Sequence, residues 1–145
     1  MITRLSQGLA DLGAKLASGI APDTSTRFAM ANTGMIAMLL TTLSQDVERA
    51  VANRMTDIEE MKALFGSLEL GAADPVQAAA RAAFCAREPM SLKLTDVEAL
   101  HGEGMRLLIA LHAWAEESDD ALNLRIWDFL VRHTERHRLD LTHVG

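Results

Sequence analysis

Between Phe28 and Phe65 apolar residues recur at helical spacing over a length that strains a compact fold. Phe28, Asn32, Ile36, Leu39, Leu40, Leu43, Val47, Val51, Ile58, Met61 and Phe65 hold roughly one phase, and Gln45, Glu48, Arg49, Glu59 and Lys62 lie mostly off it. A helix running unbroken to a stop at Gly66 would be about 60 Å long at ~1.5 Å per residue. A compact chain of 145 residues has a radius of gyration of only about 15 Å. Either the helix breaks or it extends to meet a partner. The stretch "TDIE", with Thr56 and Glu59, has the spacing of a capping box and predicts a kink or break between Asn53 and Thr56.

The remaining pattern is also helical. Ile2, Leu5, Leu9, Leu12 and Leu16 form a first stripe that ends near Gly19. Pro22 interrupts the chain, and Asp23, Thr24 or Ser25 can cap the second helix. In "GAADPVQAAARAAFCARE" Asp74 is the expected cap, Pro75 the first helical residue and Gln77 the capping-box partner, with Pro89 as the stop. "TDVE", Thr95 to Glu98, opens a helix through about Glu117 that is apolar over much of its circumference: Val97, Leu100, Leu107, Leu108, Leu111, Trp114 and Ala115. The acidic "ESDDALN" marks the turn into a last helix whose core face is Leu122, Ile126, Phe129 and Leu130. Ala, Leu and Met dominate and no strand-like alternation is present. The predicted fold is all-α: a single domain, residues 1–145, of four to five helices in a bundle, with one long second helix.

Composition narrows the function classes. The net charge of −6 disfavours nucleic acid, since Arg125, Arg132, Arg136 and Arg138 are interleaved with Asp128, Glu135 and Asp140. The longest uncharged stretch, residues 28–45, contains seven polar or glycine positions (Asn32, Thr33, Gly34, Thr41, Thr42, Ser44, Gln45). A membrane span needs about 20 predominantly apolar residues, so a buried helix is expected instead. One cysteine, Cys85, precludes an internal disulfide and suits the cytoplasm. Asp11 and Lys15 in the first twenty residues argue against a signal peptide.

The chemistry-bearing residues are histidines. His133 and His137 stand four apart, and stepping on from Leu122, Ile126 and Phe129 places both on or beside the core side of the last helix. A metal needs roughly three or four ligands, and this pair supplies two. Glu98 and His101 form a Glu-x-x-His pair of the kind used in di-iron bundles, but no second copy exists and Glu98 has an expected capping role. The late His-x-x-x-His pair distantly resembles that of DinB-type four-helix metal proteins. The resemblance implies a further histidine from an earlier helix. No histidine precedes His101 here, so His101 or His112 would have to substitute. His133 and His137 are therefore expected to fringe the bundle at a helix end, near carbonyls that favour a cation, with metal binding the minority reading and no cofactor predicted.

His101 and His112, eleven residues apart, share a face about 16 Å apart and cannot hold one ion together; each is expected to be hydrogen-bonded within or at the rim of the core, with a pocket or interface role as the alternative. Asn32 interrupts the long apolar stripe, where it sets register; with Met30, Met35 and Met38 it is expected first as part of the core, then as an interface, and last as the lining of a ligand pocket. Cys85 has Arg81 one turn away but no nearby histidine, and is expected as a small apolar residue rather than a nucleophile. Phosphate loops, nucleophile elbows and paired Cys-x-x-Cys are absent. The sequence thus favours a non-enzymatic helical bundle that self-associates, as a homodimer or higher oligomer, or binds a protein partner. The alternative is a small-molecule- or metal-binding bundle with or without enzymatic activity.

Overall fold

Why these helices form and where they end is visible in their hydrogen bonds. The computed structural model describes residues 4–68 and 73–140. Ile2, Gly71 and Ala72, expected in or beside helical segments, lie outside them. Among the described residues there are five α-helices and no strand: α1 (Leu5–Lys15), α2 (Arg27–Gly66), α3 (Ala78–Cys85), α4 (Leu94–Ser118) and α5 (Asp120–His137), with a π turn (Leu16–Ile20) and a 3₁₀ turn (Ala21–Asp23) between α1 and α2. The all-α bundle expected from the sequence is present.

Helix α2 does not break. Thr56, expected to restart it, returns its hydroxyl to the Ala52 carbonyl one turn earlier at 3.0 Å, and the backbone ladder passes through. Its first turn is capped by Thr26, whose Oγ1 accepts from the Ala29 N–H at 3.1 Å, rather than by Asp23, Thr24 or Ser25. Two other expected caps are spent elsewhere. Asp74 adopts positive φ (38°), tolerated by Asp, and its carboxylate accepts from buried Arg81 at 3.1 Å; α3 starts only at Ala78. Glu98 pairs with Arg54 at 3.1 Å inside α4, which begins at Leu94 without a side-chain cap. The acidic turn before α5 behaves as expected, with Asp119 Oδ1 accepting from the Leu122 N–H at 3.0 Å.

The chain divides into two compact units, Met1–Ala50 with Arg138–Gly145, and Val51–His137. In the first, α1 approaches α2 through Gly13: a Cβ there would lie 2.9 Å from Thr41 Oγ1 and 3.0 Å from the Ala37 carbonyl oxygen. Leu5 and Leu12 of the expected stripe are exposed. Gln45 pairs with the backbone of Asp140 in both directions, at 2.7 and 2.8 Å, and Arg49 donates to the Arg138 carbonyl at 3.1 Å.

The second unit holds the main core, in which Ile58, Met61, Phe84, Val97, Leu108, Leu111, Ile126 and Phe129 are almost wholly excluded from water. Arg54 meets Glu98 and Asp57 meets His101, so α2 and α4 run in the same direction here. Asn53 reaches the Arg136 carbonyl while Glu60 reaches Arg132, so α5 runs opposite to α2. Phe84 of α3 packs edge-to-face on Phe65, ring centroids 5.7 Å apart. It also fills the space over Gly104, where an added Cβ would sit 2.6 Å from its ring and 2.7 Å from Met61 Cε.

Two glycines on α4 therefore carry opposite predictions. Gly102 would meet only the flexible Arg106 guanidinium at 3.8 Å, so Gly102→Ala should stabilise by up to about 1 kcal/mol through helix propensity. Gly104→Ala forces Phe84 against a full core and should destabilise by about 1–3 kcal/mol. Urea denaturation of the two variants checks the signs.

Candidate metal centre

One carboxylate organises the second unit. Asp57 lies on α2 one turn before Met61, on the core side, and its side chain is fully buried. A buried carboxylate is tolerated only when it is paired and hydrogen-bonded. Its Oδ2 lies 3.0 Å from His101 Nε2 on α4, 2.9 Å from His133 Nδ1 and 2.7 Å from His137 Nε2 on α5. Its Oδ1 accepts from Arg136 Nη1. Arg136 also donates through Nη2 to Glu60 Oε1 at 2.5 Å, and Arg132 donates to Glu60 Oε2 at 3.2 Å. The Asn53 amide donates to the Arg136 carbonyl at 2.9 Å and so ties the last turn of α5 to α2.

The helical spacings explain the convergence. His133 and His137, one turn apart, bring their rings to 4.5 Å between centroids, and His101 crosses from α4 to stack on His133 at 5.9 Å. Phe129, a turn earlier on α5, backs the His133 ring at 6.0 Å, nearly parallel. The four donor atoms, three imidazole nitrogens and one carboxylate oxygen, all lie within 4.8 Å of one another.

The electrostatics favour an ionised Asp57. Burial by itself would raise its pKa, but hydrogen bonds from His101, His137 and His133 outweigh that and hold the carboxyl well below the usual carboxylate range. The three histidines converge on a single oxygen. A carboxylate oxygen has about two lone-pair sites, so three N–H donors over-fill it, and nitrogens presenting lone pairs would repel it. A cation among the four atoms removes both conflicts. With metal–ligand bonds of about 2.0–2.2 Å, neighbouring donor atoms of a tetrahedral site sit about 3.3–3.6 Å apart. To reach that, the nitrogen–oxygen separations of 2.7–3.0 Å widen and the nitrogens, which lie within 4.8 Å of one another, close around the ion.

Of the residues singled out from sequence, His101, His133 and His137 meet here. His112 does not: its Nε2 lies 3.0 Å from Asn123 Oδ1, and its ring meets Trp127 edge-on. Asn32, Met30, Met35 and Met38 are exposed on the first half of α2. Cys85 donates to the Lys62 carbonyl at 3.6 Å, and burial pushes its thiol pKa up, the reverse of what a nucleophile needs. Asp57, Arg136 and Glu60 are the members of this cluster that sequence reasoning misses. In the sequence Asp57 is only a middle residue of a capping-box spelling, although its position one turn before Met61 marks an ionisable group on a core face. Comparison of the chain with known protein families, curated proteins and solved structures gave no match.

Replacing Asp57 with Ala leaves Arg136 and the histidines without their common partner and should destabilise the metal-free protein by about 3–5 kcal/mol. The pH dependence follows from the lowered pKa. The stability contributed by ionised Asp57 is complete above the ordinary value of about 3.9 and is lost as pH falls below it toward the folded value. The difference in unfolding free energy between wild type and Asp57→Asn should therefore shrink as the pH is lowered below about 4, as read by denaturation at a series of pH values.

Proposed function

We propose that the chain is a metal-binding helical bundle whose centre is Asp57, His101, His133 and His137. The observation that carries this reading is the convergence of three imidazole nitrogens from two helices on one buried carboxylate oxygen of a third. Three nitrogen donors and one oxygen suit a first-row divalent ion such as Zn²⁺, Fe²⁺, Co²⁺ or Ni²⁺ rather than Mg²⁺ or Ca²⁺, which prefer all-oxygen sites. Arg136, held by Glu60, supports Asp57 from behind in the way that outer groups orient the ligands of metal centres.

The expected outcome is one equivalent of divalent ion per chain by elemental analysis, with a matching rise in thermal stability. His133→Ala, His137→Ala and His101→Ala should each lower affinity by at least about 10-fold, while His112→Ala leaves it unchanged. Retention of wild-type affinity in all three ligand variants contradicts the reading.

A different observation supports a second property, self-association. Phe28, Met35, Ile36, Leu39, Leu43 and Val47 on the first half of α2 are exposed, and contiguous apolar surface of this kind marks interaction faces. Among the described residues no helix is long and apolar enough to cross a membrane, so a protein surface is the cover this reading proposes. Light scattering should give a mass above 15.8 kDa, and Leu39→Glu together with Leu43→Glu should return it to the monomer value. A monomeric wild type sinks this second reading.

A further inference from the structure

The two oxygens of Asp57 are committed to different partners. Oδ1 is taken by Arg136, and Arg136 is itself fixed by Glu60. Only Oδ2 faces the histidines. An ion at the centre therefore meets Asp57 through one oxygen, and its protein ligands number four. The burial is lopsided. The Asp57 side chain is 0% exposed, whereas His133 and His137 are each 24% exposed and His101 15%. The Asp57 carboxylate is closed off from water, whereas the histidine side chains around it are partly exposed. First-row divalent ions can expand beyond four ligands, and sites that act on bound molecules keep a position free for them.

We infer that Arg136 and Glu60 are positioning residues that keep Asp57 one-oxygen-bound, and thereby hold open a coordination position on the histidine side for a small exogenous lone-pair ligand, a water-derived oxygen or a small anion. The inference rests on the metal-binding reading above and specifies what that centre does: it is an open site, not a closed structural one. If Oδ1 is released, the carboxylate can bind through both oxygens and fill the free position from within.

The test uses the full chain loaded with Co²⁺, whose visible bands report coordination number, and azide as the probe. Wild type should take up one Co²⁺, and azide should shift the bands saturably. Arg136→Met frees Oδ1 and should weaken azide binding by about 10-fold, the scale of outer-group effects at metal centres. Glu60→Ala removes the anchor of Arg136 from a partly exposed position and separates geometry from charge. Loss of a negative charge alone would tighten azide binding, whereas loss of the anchor weakens it. Weaker azide binding in Glu60→Ala supports the inference even if Arg136→Met does not fold. Azide-insensitive bands in the wild type, unchanged azide affinity in Arg136→Met, or tighter azide binding in Glu60→Ala overturns it while leaving metal binding intact. Failure of the wild type to bind Co²⁺ at all overturns the metal reading and the inference with it.

Discussion

A carboxylate with no access to water sits where three helices meet, and the second unit is built around satisfying it. Asp57 is on α2, its partners are on α4 and α5, and no local segment contains both sides of the interaction. Removing a charge from water costs several kcal/mol unless geometry and hydrogen bonding compensate. The parallel course of α2 and α4, the opposite course of α5 and the placing of the last turn of α5 by Asn53 all serve that compensation. Below the polar layer the core is conventional, and at Gly104 the lack of a side chain admits Phe84 and Met61.

The same layer also sets the chemistry. Three histidines around one carboxylate oxygen are crowded as hydrogen-bond donors and well arranged as ligands. Arg136 divides the carboxylate, taking one oxygen and leaving the other, and Glu60 with Arg132 continues the ion-pair chain to the surface. Metal centres commonly gain their geometry from such outer partners. In this chain the corresponding groups lie on α2 and α5, one turn or less from Asp57, His133 and His137.

Much of the fold is legible in the sequence because helical periodicity is a local signal. The stripe from Phe28 to Phe65 continues through Thr56, and that continuity outweighs the capping-box spelling of "TDIE". Capping motifs mislead at Asp74 and Glu98 for a shared reason: both side chains find an arginine in space, Arg81 and Arg54, that chain position alone does not announce. The site is half legible. The i, i+4 spacing and inward phase of His133 and His137 follow from sequence. That His101 rather than His112 joins them depends on which turn of α4 faces α5 at that level. Asp57 is hidden because an acid in a helix, here close to Glu59 and Glu60, reads as surface until the helix is known to be buried on that side.

The most direct measurement of the central claim is anomalous diffraction at the zinc edge from crystals grown with Zn²⁺. Zn²⁺ at this centre gives one strong peak per chain, about 2.0–2.2 Å from Asp57 Oδ2, His101 Nε2, His133 Nδ1 and His137 Nε2. No peak among these atoms at full zinc loading, with Asp57 contacting only Arg136 and the histidine rings, would contradict that claim.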